Sequence, residues 1–163
     1  MLLPDDDYWM GKALSAARKA EALGEVPIGA VVVRDGRVLA SGYNLRECRQ
    51  DPTAHAELIA IRKAALKIKA WRLTGATLYV TLEPCPMCMG AIILSRFDRL
   101  VFGCFDPKAG AAGSLFDLAN DSRLNHRLPV TSGVREQECS AMLSDFFRAL
   151  RARKKGGQLV EHL

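Results

Sequence analysis

Short, β-branched apolar runs alternate along this chain with segments whose apolar residues recur every three or four positions. That alternation restricts it to a layered α/β domain around one sheet. Residues 7–23 space Met10, Ala13, Leu14, Ala17 and Ala20 at helical intervals, with acids before them and Gly24 as a stop. Residues 28–33 and 38–43 flank Asp35-Gly36, a two-residue hairpin signal, and predict paired strands. Residues 44–52 are polar and turn-forming; Thr53 then caps a helix over 54–68 with Leu58, Ile61, Ala65 and Ile68 inward. A strand over 77–82 leads to Cys85 at a cap, Pro86 in the first turn and a helix over 87–94. Next come a strand over 100–102, a glycine-rich loop over 105–113, a short segment over 115–118 and a short strand over 130–134. A long helix over 136–155, with Cys139, Met142, Leu143, Phe146 and Leu150 as its apolar set, completes the series.

At 163 residues the chain is one domain in size, read here as a single unit over 1–155 with a short tail over 156–163. It contains no run near the roughly 20 apolar residues of a membrane helix. Its start, Met1–Leu3 followed closely by Asp5, Asp6 and Asp7, lacks the basic-then-apolar pattern of an export signal. A cytoplasmic protein with no membrane partner is expected. Cys48, Cys85, Cys88, Cys104 and Cys139 are an odd set in such a chain, which favours reduced thiols or metal ligands over disulfides. The net charge is +5, and Arg148, Arg151, Arg153, Lys154 and Lys155 account for all of it; without them acids and bases balance at 18 each. A charge excess confined to one segment points to a local anionic partner.

Two motifs carry chemistry. Cys85 and Cys88 are three residues apart at a helix start, so both sulfurs point to one side and the helix dipole favours thiolates. His55 adds an imidazole, giving the three protein ligands of a catalytic Zn²⁺ with a fourth position left for water. Such a cation makes bound water far more acidic than bulk water. Glu57 is the candidate proton carrier from that water to a ring nitrogen and on to a departing amine. Two residues on a regular helix are separated by about 200° around the axis, so His55 must lie in the irregular first turn if both are to face one ion.

His-Ala-Glu at 55–57 with Pro-Cys-Pro-Met-Cys at 84–88 resembles the signature of the zinc nucleobase deaminases, the cytidine/deoxycytidylate deaminase superfamily. The stretches 25–33, 51–57, 77–85, 110–117, Asn125-His126 and 143–148 are together similar to bacterial tRNA-specific adenosine deaminases. The resemblance implies a three-layer α/β/α cytidine-deaminase-like fold with a central five-stranded mixed sheet flanked by helices. It also implies a homodimer with one Zn²⁺ per subunit, and hydrolytic conversion of adenosine to inosine at the wobble position of a tRNA anticodon stem-loop. By the same resemblance Asn44 and Ala56 contact the flipped nucleoside, Asp106 holds a neighbouring nucleotide, and Phe147 with Arg148 lines the path of the loop. Arg151, with the other basic residues of the last helix, would meet phosphates.

Two other readings share these features. A deaminase of free cytidine, cytidylate or guanine uses the same metal motif, although the basic end and the 110–117 loop weigh against it. A structural-zinc RNA-binding module would need a fourth protein ligand, and none is apparent nearby.

Overall fold

The computed structural model describes residues 4–160; Met1–Leu3 and the last three residues of the 156–163 tail lie outside the described residues. Helix α1 spans Asp6–Ala22 and is capped by Asp5, whose carboxylate accepts from the Tyr8 N–H. It stops at Gly24, where φ is +77°. Strands β1 (Gly29–Arg34) and β2 (Arg37–Tyr43) form the expected hairpin. Asp35 and Gly36 both have positive φ, the conformation a type I′ turn requires.

A short helix α2 (Arg46–Arg49) follows, in a stretch expected to be a turn, and α3 spans Ala56–Ile68. Thr53 does not cap α3, because its hydroxyl and backbone N–H both donate to Asp51 Oδ1 and hold a local turn. The cap position belongs to His55. The buried face of α3 is also turned from the expected stripe: Ala56, Ile59, Ala60, Ile61 and Ala64 are buried, while Leu58, Ala65 and Ile68 are half-buried. The small residues win the inner face because α3 passes so close to β2 that a Cβ on Gly42 would collide with the Ala56 carbonyl.

Strand β3 (Thr77–Leu82), α4 (Pro86–Leu94) and β4 (Arg99–Cys104) come next. A single 3₁₀ turn (Leu118–Asn120), β5 (Val130–Thr131) and the long helix α5 (Glu136–Val160) finish the chain, so the last helix continues five residues past its expected end. The sheet order is β2-β1-β3-β4-β5; β1 runs antiparallel to both neighbours, and β3, β4 and β5 are parallel. Side chains alternate across the sheet. Val32, Leu78, Val80, Leu100 and Phe102 meet α3 and α4 on one face, and Val31, Val33, Tyr79 and Val101 meet α1 and α5 on the other. This is the five-stranded mixed sheet between helical layers that the resemblance implied.

Candidate metal centre and active cavity

Two helix starts meet at the end of the sheet. His55 is the N-cap of α3, with φ −78° and ψ 150°, so its side chain leaves from extended backbone while Glu57 is already helical. The geometric demand of the two-residue spacing is met in this way. Cys85 is the corresponding N-cap of α4, with φ −74° and ψ 172°, and Pro86 follows as the first helical residue. Cys88, one turn in, is fully buried.

The His55 Nδ1 atom lies 3.7 Å from Cys85 Sγ and 3.5 Å from Cys88 Sγ, and all three donor atoms fall within 4.8 Å of one another. Zinc–nitrogen and zinc–sulfur bonds of about 2.05 and 2.3 Å at a tetrahedral angle require an N···S edge of roughly 3.6 Å. His55 Nδ1 thus already lies at about that edge length from each sulfur, and among the described residues these three are the donors gathered here. Hydrogen bonding from the Cys88 thiol, joined by that of His55, brings Cys85 down to about 4. Cys88 is pushed far up because its proton is the one shared and the site is buried. The His55 imidazole is raised, chiefly by its hydrogen bond to Cys85. Thiolate and neutral imidazole are the forms in which these residues would bind a divalent cation.

Glu57 is 4% exposed, and burial raises its carboxyl to about 7. It lines a cavity of about 230 Å³ together with His55 and Cys85. Val26, Ile28 and Leu82 form apolar walls, which suit a flat heterocycle better than a charged ligand.

Of the other residues expected at the site, Asn44, Ala56, Asp106 and Phe147 line this cavity. Asn44 is buried, donates to the Val26 carbonyl and accepts from the Arg46 N–H, which leaves its second amide hydrogen free to face a ligand. Asp106 accepts through Oδ1 from the Lys108 and Ala109 N–H groups, so one of its oxygens shapes its own loop. Arg148 and Arg151 lie instead in an adjoining hollow, which shares Phe147 with the first cavity and also contains Phe105 and Lys108. Arg148 is paired there with Asp145 at 3.1 Å. Arg153, Lys154 and Lys155 are exposed farther along α5.

Sequence reasoning passed over two buried carboxylates, Glu25 and Glu83, which hold the segments around the cavity. Glu25 accepts from the N–H groups of Glu47 and Cys48 at the start of α2. Glu83 accepts from the backbone N–H groups of Asp106, Ala112 and Ser114 and from the Ser114 hydroxyl. Burial alone would raise the Glu83 carboxyl, but these donors outweigh it and hold it low. Only its position just before Pro84-Cys85 could have drawn attention to Glu83.

Residues 4–151 match the MafB19-like deaminase family. The tRNA-specific adenosine deaminase of Bacillus subtilis is 53% identical over 156 residues, 96% of this chain and 97% of that protein. That of Haemophilus influenzae is 55% identical over 151 residues, 92% of this chain and 87% of that one. A solved structure from work on A-to-I editing by tRNA:A34 deaminases at the wobble position of transfer RNA superposes with a TM-score of 0.81. Its identity is 46%, and the match covers 83% of this chain and 99% of the other.

Proposed function

The chain belongs to the MafB19-like deaminase family and, through near full-length relatives at over half identity, to the tRNA-specific adenosine deaminases; from that membership we propose that it converts the wobble adenosine of a tRNA anticodon to inosine. The observation that carries the deaminase chemistry is the His55–Cys85–Cys88 cluster with Glu57 beside it at a largely apolar cavity, and the choice of tRNA rests on the near full-length relatives. The donor spacing and thiolate chemistry fit one Zn²⁺ per chain, held by these three residues. When bound, that ion supplies an acidified water for attack at the carbon bearing the amine.

This chain's own part is to hold the base and move protons. Val26, Ile28 and Leu82 exclude water from the faces of the ring, while Asn44 and the Ala56 backbone meet its polar edge. Glu57 takes the proton of the attacking water and delivers it to the neighbouring ring nitrogen as the carbon becomes tetrahedral. Glu57 then takes the remaining hydroxyl proton from the tetrahedral carbon and passes it to the amine, so that the carbonyl forms as the C–N bond breaks and ammonia leaves. A carboxyl raised to about 7 is suited to both directions of transfer near neutral pH. Asp106 would hold a flanking nucleotide, and Phe147, Arg148 and Arg151 would line the route of the RNA.

Two features support the assembly and location. Met87 and Leu94 are exposed on one face of α4, and Leu115 and Phe116 are exposed in the loop after β4, apolar side chains suited to contact with a second copy of the chain. A tRNA substrate places the enzyme in the cytoplasm, and no helix among the described residues is long and apolar enough to cross a membrane. The test is inosine formation in an anticodon stem-loop carrying a wobble adenosine, run beside free adenosine, cytidine and guanine. Turnover of the free compounds alone would overturn the RNA assignment.

A further inference from the structure

Glu83 has a place in this molecule that neither metal binding nor proton transfer explains. It directly follows β3, two residues before Cys85, is 2% exposed, borders the cavity, and accepts hydrogen bonds from the loop that follows β4. There it collects the N–H groups of Asp106, Ala112 and Ser114, at 3.1, 3.0 and 3.0 Å, and the Ser114 hydroxyl. One carboxylate thus gathers both ends of the loop over 106–114. Gly110 lies directly against it, with no room for a Cβ between that backbone and the carboxyl group. The main chain adds two ties, from the Ala111 N–H to the Pro84 carbonyl and from the Glu83 N–H to the Cys104 carbonyl.

This loop carries Asp106 and Ala109 into the wall of the cavity. The position of Asp106 is fixed from two sides: Glu83 takes its backbone N–H, and its own Oδ1 takes the N–H groups of Lys108 and Ala109. We propose that Glu83 is a positioning residue, whose grip on the 106–114 loop holds Asp106 where the nucleotide beside the reacting base is recognised. It therefore governs capture of the RNA and leaves the chemical step to Glu57. The inference rests on the reading of the site as a tRNA deaminase.

A Glu83→Gln exchange keeps the size but replaces one acceptor oxygen by an amide that faces backbone N–H groups, leaving donors unsatisfied. In kinetics on an anticodon stem-loop, Glu83→Gln is expected to raise KM about tenfold or more while kcat stays within about threefold of the parent. Zinc per chain should be unchanged. The double variant with Asp106→Ala should be no worse in kcat/KM than the poorer single one, because both losses pass through the same group. A merely structural Glu83 would give additive losses and a fall in kcat as active protein is lost. Either that pattern or an unaltered KM overturns the proposal.

If Glu83→Gln is recovered only as aggregate, Ser114→Ala decides the matter. It removes one donor and leaves the carboxylate, and a raised KM with parental kcat upholds the role whereas parental KM refutes it. Wild-type protein in the same assay separates the two levels. No inosine there sinks the assigned function along with this inference, while inosine there with an indifferent Glu83→Gln sinks the inference alone.

Discussion

His55 and Glu57 are two residues apart yet face one cavity, because only Glu57 has entered the helix. The sequence makes that arrangement a requirement: the spacing is incompatible with a regular helix, and the cap position resolves it. Glu25 and Glu83 were not legible in the same way. Each satisfies backbone donors 22 to 31 residues away in sequence, and no local periodicity marks such a partner. The division of labour at this scale is testable by substitution. Glu57→Gln should retain its zinc and its melting temperature but lose about 10²–10⁴-fold or more in kcat. Cys88→Ala should fall below one zinc per two chains when dialysed against a competing chelator, since two ligands hold the ion far less tightly than three. Retained turnover in Glu57→Gln would rule out its role as proton carrier.

Among the elements, those whose pairing is local were legible and those set by distant packing were not. The hairpin of β1 and β2 is written in Asp35-Gly36, and α4 in its cap and Pro86. The face of α3 was misjudged because contact with β2 favours small residues over large ones there. Gly42→Ala should push the start of α3 off the sheet. The expected overpacking cost is about 1–3 kcal/mol, or roughly 2–12 °C in melting temperature, with a weaker hold on zinc. A variant with parental zinc affinity and stability would show that the close approach is dispensable. Helix α1 is tied to the sheet by Asp6, whose carboxylate pairs with the Arg99 guanidinium at 2.6 Å and accepts from the Tyr79 hydroxyl. Hydrogen bonding to Arg99 holds Asp6 below the usual carboxylate range despite partial burial. Its stabilisation is therefore complete above about pH 4–5 and is lost as pH falls through the depressed value. Asp6→Asn should cost about 1–2 kcal/mol at pH 7, and the gap to the parent should close as pH falls through the depressed value of Asp6. A gap that stays constant in acid would place the effect elsewhere.

For the whole molecule, the sequence disclosed the layers and their order along the chain but not the strand order, because the β1–β3 pairing spans β2 and two helices and the β4–β5 pairing spans a long loop with a single 3₁₀ turn. It also located the charge. The basic excess lies on α5, and that helix passes from the core at Cys139 and Phe146, past the cavity wall at Phe147, to the exposed Arg153, Lys154 and Lys155. Arg151→Ala should weaken stem-loop binding similarly for all loop sequences and lower the salt slope of log Kd by about one. An unchanged slope would exclude a phosphate contact there.

The proposed metal donors and Glu57 belong to the starts of α3 and α4, whereas most of the surfaces that would meet RNA belong to the 44–49 and 106–114 segments and to α5. Reactivity and choice of substrate are thereby inherited on different pieces of chain. Selection, natural or in the laboratory, can rework what this enzyme accepts by drifting the second set while the first stays fixed, with Glu83 as a rivet between them that such drift must respect.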